Sequence, residues 1–111
     1  MNFLSWLTGR FSDRGKSLAC YKRAMARAKK HDHQGAIDGY TMTIGMAETP
    51  ADVKAMALYN RALVYAVTGE AAKAFDDLNF VLAMKETLVN VKTMARQKLA
   101  RMNHASGAAN P

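Results

Sequence analysis

The sequence predicts an all-α fold of stacked antiparallel helical hairpins ended by a closing helix. Three observations predict it. Half of the 111 residues are apolar, only two are proline, and helix formers such as Ala, Met, Leu, Lys and Arg dominate. Apolar residues recur at helical spacing along most of the chain. Two segments align when Ala36 is set against Ala74, an offset of 38 residues. A chain of this length forms one domain with a modest core and is too short for a second independent fold.

The first helix spans Ser17 to Lys30. Leu18, Tyr21, Met25 and Ala28 lie near one stripe there, with Cys20 and Ala24 beside it and Lys22, Lys29 and Lys30 at polar positions. His31 to Gln34 breaks the pattern, and Asp32 is the N-cap of a second helix reaching about residue 46. Gly39 and Gly45 inside that helix each cost about 1 kcal/mol relative to alanine, which makes it the weakest element unless close packing needs them. Thr49 can cap, Pro50 suits a first helical position and Asp52 completes a capping box, so a third helix starts at Pro50 and runs to about Val67. Thr68, Gly69 and Glu70 turn the chain into a fourth helix ending near Met84. Lys85 to Thr87 breaks the chain again before a fifth helix, whose stripe is Leu88, Val91, Ala95, Leu99 and Met102. The organisation expected is an apolar and basic segment over 1–16, a repeat domain over 17–102 and a disordered tail over 103–111. Within the domain the units fall at about 17–48 and 50–86, and the capping helix at about 87–102.

The second unit reads Leu58, Arg61, Ala62, Tyr65, Gly69, Ala74 and Leu78, and the first carries Cys20, Arg23, Ala24, Arg27, Ala36 and Tyr40 at the same spacings. This pattern resembles the tetratricopeptide repeat, with its large residue, leucine and small residue, tyrosine, then an alanine in the second helix and an aromatic four later. Arginine replaces the leucine in both units, Arg27 replaces the tyrosine in the first, and the closing proline is absent from its usual place. The offset exceeds the family's period of about 34 residues, an excess assigned to the connection over Ala47 to Val53. The resemblance implies a short right-handed α-solenoid in which Ala24, Ala36, Ala62 and Ala74 let the helices of each hairpin approach closely. Two units are few for such a stack. The fifth helix covers one end; the other is open unless the N-terminal aromatics fold over it or a second copy docks there.

The resemblance further implies a non-enzymatic adaptor or scaffold that holds a peptide or helix of a partner in a concave groove. Its lining residues are Tyr21, Met25, Met56, Tyr59, Asn60, Leu63, Lys92 and Arg96, with Leu18 beside them. Lys92 and Arg96, four apart, project the same way on the fifth helix. With Asn60 they are similar to part of the carboxylate clamp found in some members of the family, whereas Tyr21 and Met25 stand where the rest of that clamp would be. Tyrosine and methionine offer adaptable apolar contact, and the cationic rim favours an acidic or carboxylate-ended peptide. The alternative for Met25, Met56 and Leu63 is that they are core, and for Lys92 and Arg96 that they are a solvated face.

Net charge is +7. It divides into +7 over residues 1–30, −4 over 31–84 and +4 over 85–111. Basic ends flanking an acidic middle attract acidic peptides, anionic membrane surfaces or nucleic acid, or are simply solvated. The cluster Lys22, Arg23, Arg27, Lys29 and Lys30 has no base-reading motif and only Tyr21 nearby for stacking, so no specific nucleic-acid binding is expected. Phe3, Leu4, Trp6, Leu7 and Phe11, with Arg10 and Arg14, form either a cap on the repeat stack or a weak interfacial membrane anchor. No apolar run approaches the roughly 20 residues of a spanning helix. Cys20 is the lone cysteine, which argues for a reduced, cytoplasmic setting. His31, Asp32 and His33 lack further ligands for a metal, and there is neither a nucleophile elbow nor a phosphate loop, so no enzyme activity, metal or cofactor is expected.

Overall fold

The computed structural model describes residues 3–85 and 87–109, with side chains described for 15–85 and 87–105. Among the described residues it is all-helical: α1 (Phe3–Lys29), α2 (His33–Gly45), α3 (Ala51–Val67), α4 (Ala71–Ala83) and α5 (Val89–Ala109). Two ends differ from the sequence reading, since α1 begins at Phe3 rather than Ser17 and α5 continues past Met102. No proline interrupts either extension, and Ala105, Ala108 and Ala109 are strong helix formers.

The two hairpins repeat in backbone detail. α2 and α4 are each 13 residues long, and both their starts (His33, Ala71) and their ends (Gly45, Ala83) lie 38 residues apart. Both turns hold one left-handed residue at the same position, His31 with φ 61° and Gly69 with φ 85°. Each is a Schellman closure. In the first, Asp32 N–H donates to Arg27 C=O at 2.9 Å and His31 N–H to Ala28 C=O at 3.0 Å. In the second, Glu70 N–H donates to Tyr65 C=O at 2.8 Å and Gly69 N–H to Ala66 C=O at 3.3 Å.

Asp32 caps α2 as expected, its carboxylate accepting from Gly35 N–H at 3.0 Å. The capping box proposed for α3 does not form. Pro50 is the N-cap residue, and the Thr49 hydroxyl donates instead to the Thr43 carbonyl at 2.7 Å. That carbonyl lies in the last turn of α2, where helical partners run out, and it draws the hydroxyl away from α3.

Each helix packs on its sequence neighbours, α1 and α3 also touch, α3 and α5 also touch, and α2 and α4 do not. The odd-numbered helices therefore form one layer. Burial follows the repeat: Cys20 and Leu58, Ala24 and Ala62, Ala36 and Ala74, Tyr40 and Leu78, and Thr43 and Val81 are all buried. α3 is buried on two sides, giving Ala57 and Val64 to the core of the first hairpin and Ala55, Leu58 and Ala62 to that of the second. Leu78, fully buried, contributes about 2–3 kcal/mol of hydrophobic stabilisation. Val91 and Ala95 bury α5 against the second hairpin, as the sequence stripe requires.

Candidate interaction surface

The layer formed by α1, α3 and α5 carries a charge pattern distinct from that of the other two helices. These three helices hold thirteen Lys and Arg against Asp13 and Asp52, whereas α2 and α4 hold Lys73 against Asp38, Asp76 and Asp77. The odd-numbered helices are thus net basic and the even-numbered ones net acidic, although Arg61 is bound by Asp77 and α3 lies within the acidic stretch of the sequence. A layer of one sign raises the local concentration of oppositely charged partners.

Of the groove residues read from the sequence, Met25 and Met56 are partly buried against the first core cluster and Tyr59 against the second. Leu63 is partly exposed. Lys92 is partly exposed, Arg96 is exposed, and neither makes an ion pair among the described residues. Leu18, the 38-residue counterpart of Met56, is 41% exposed on α1, Val67 is 71% exposed on α3 and Val89 is 77% exposed on α5. Exposed apolar side chains also occur on the other two helices, with Met42 on α2 62% and Phe80 on α4 51% exposed, so what the odd-numbered helices add is their unpaired cations.

Tyr21 and Asn60 are placed differently. Tyr21 is buried, its ring tilted against that of Tyr40 with centroids 6.0 Å apart. Its hydroxyl accepts from Asn60 Nδ2 at 2.8 Å, and the same nitrogen donates to the Met56 carbonyl at 3.0 Å. Both hydrogens of the Asn60 amide are thereby used within the fold, leaving no donor for a carboxylate. This corrects the clamp reading: the pair ties α1 to α3. Burial pushes the Tyr21 hydroxyl above its usual pKa, with the Asn60 hydrogen bond acting the other way. Burial, helped by the neighbouring Tyr21, pushes Tyr40 up to about 12.

Arg61 of α3 has a specific partner. Its Nε and Nη2 donate to the two carboxylate oxygens of the buried Asp77 at 2.8 and 2.7 Å, and Nη1 donates to the Thr41 hydroxyl at 3.0 Å. One guanidinium thus joins α2, α3 and α4. The Asp77 hydrogen bonds outweigh desolvation and hold the guanidinium above its usual pKa. Sequence reasoning missed Asp77, although its position three after Ala74 and four before Val81 puts it on the buried stripe.

The side chains of Phe3, Leu4, Trp6, Leu7 and Phe11 lie outside the described ones. Cys20 is buried and donates its thiol to the Gly39 carbonyl at 3.4 Å. The His31 and His33 rings meet edge to face at 6.1 Å, and among the described residues no group of three or more His, Cys, Asp or Glu converges on a metal-sized site. No described helix is long and apolar enough to cross a membrane. Comparison with protein-family models, curated proteins and solved structures gives no match for this chain.

Proposed function

We propose that this chain is a short tetratricopeptide-like module that binds an acidic peptide or helix of a partner protein on the basic layer of α1, α3 and α5, without enzymatic chemistry of its own. The observation that carries the reading is the segregation of charge between the odd and even helices, with partly exposed Met56, Tyr59 and Leu63 set among the cations. The matched hairpins and the serial contact of the odd helices support the solenoid reading. Apolar side chains give the partner helix its burial, and Lys92 and Arg96 give orientation and association rate. A single buried thiol fits a reduced compartment such as the cytoplasm.

Selection from a displayed library of random peptides tests this. Enriched sequences should be rich in Asp and Glu and bind more weakly as salt rises. Lys92→Ala with Arg96→Ala should weaken them roughly five-fold, since two exposed charge contacts contribute about 1 kcal/mol together. Tyr59→Asp, if folded, should abolish binding. Enrichment of neutral or basic peptides, or equal binding to all variants, contradicts the proposal.

A second reading rests on the continuity of α1 from Phe3, which sets Phe3, Leu7 and Phe11 at spacings of four along one helix. Such a segment can lie on an anionic bilayer or dock a second copy. The full chain should then float with anionic liposomes while a version beginning at Asp13 does not. Sedimentation of both versions as monomers removes the self-assembly branch.

A further inference from the structure

The two junctions of the stack are covered differently. Where the first hairpin meets α3, Ile37 shares a buried cluster with Val64, and Tyr65 packs on that cluster. Phe75 takes the Ile37 position 38 residues later, and it is only partly buried. Matching the buried residues of α5 to those of α3 sets Val91 on Leu58 and Ala95 on Ala62. In that register Gln97 stands where Val64 stood and Lys98 where Tyr65 stood. The apolar cover of the first junction is replaced by an amide and an ammonium. What results is a cleft of about 460 Å³, lined by residues that include Ala66, Ala71, Phe75, Lys98, Arg101 and Met102.

No acidic side chain lines the cleft among the described residues, and neither Lys98 nor Arg101 makes an ion pair there. Arg101 follows Lys92 by nine residues, which puts it about 180° around α5. The cleft is therefore separate from the basic interaction layer and does not depend on that reading.

We propose that this cleft binds a small monocarboxylate whose aromatic or aliphatic body is about the size of a tyrosine side chain. The body occupies the space that Tyr65 fills at the other junction, against Phe75 and the adaptable thioether of Met102. The carboxylate is held by the Lys98 ammonium and the Arg101 guanidinium, whose flat fork suits it. A cleft of this size with apolar walls and two cations among its lining residues is within the range of small-molecule sites.

The test is a titration of the full chain with phenylpropanoate at low salt, followed by NMR of the backbone amides and methionine methyls. Saturable shifts should centre on Phe75, Lys98 and Met102, and phenylpropanol, which lacks the charge, should bind about ten-fold more weakly. Lys98→Tyr, which restores the cover found at the first junction, should remain folded and show no shifts. Lys98→Ala with Arg101→Ala should keep the cleft and lose the preference for acid over alcohol. Equal affinity for acid and alcohol in the wild type overturns the proposal, as do unchanged shifts in Lys98→Tyr. Tighter binding of a tripeptide ending in phenylalanine also overturns it, because the cleft would then belong to a chain end.

Discussion

In the first hairpin position 39 is a glycine, and a Cβ added there would stand 2.7 Å from the Cβ of Ala24. In the second hairpin the matching position is Asp77, which binds Arg61 of the facing helix through contacts of 2.8 and 2.7 Å. One hairpin is locked by backbone approach, with Cys20 and Thr43 both donating to the Gly39 carbonyl, and the other by an ion pair. Yet their helices end, turn and restart 38 residues apart. The comparison separates two kinds of residue. The shared alanines and the Schellman turns set the hairpin, and position 39 or 77 decides only how tightly and by what chemistry it closes.

The largest effect should come from the ion pair. Asp77→Ala leaves a guanidinium only 17% exposed with Thr41 as its remaining partner, and should cost about 2–3 kcal/mol in denaturant unfolding. Adding Arg61→Leu, which removes the stranded charge, should recover part of the loss; no recovery would mean that Asp77 matters through packing. Gly39→Ala comes next, at about 1–2 kcal/mol, because overpacking against Ala24 exceeds the gain in helix propensity. Exchanging the turn residues sharpens the comparison further. Gly69→Ala should cost about 1 kcal/mol at φ 85°, whereas His31→Gly should stabilise by about 0.5–1 kcal/mol, both read from Tm.

The effect that is smallest at neutral pH is confined to the alkaline range and to the first hairpin. Tyr40 loses its proton near pH 10 when unfolded and at about 12 when folded. The folded state then holds more protons between those values, so stability is intact below pH 10 and falls as pH rises toward 12. Absorbance of tyrosinate should show a late step that Tyr40→Phe removes.

Much of this fold was legible in the sequence. Helical periodicity, the Asp32 cap and the self-alignment on Ala36 and Ala74 place five helices and two hairpins, because each rests on local chemistry. Gly39 was read there as a cost unless close packing needs it, and Ala24 supplies that packing. The extensions of α1 to Phe3 and of α5 to Ala109 were not legible, since Gly9, Gly15 and Gly107 lower helix propensity there. Thr49 was misread because its hydroxyl had two available destinations, and the one it takes belongs to a different helix. Arg61 looked like a defect in the repeat until its partner 16 residues away was known. Tyr21 and Asn60 were assigned to an open groove from their register alone, and register does not reveal that two polar tips will meet each other.

Mapping amide shifts when a library-selected acidic peptide is added decides whether the layer of α1, α3 and α5 is the binding face. Shifts should run along Leu18 to Met25, Met56 to Leu63 and Lys92 to Arg96, with α2 and α4 little changed. Shifts centred on α2 and α4, or spread evenly over all five helices, would contradict it.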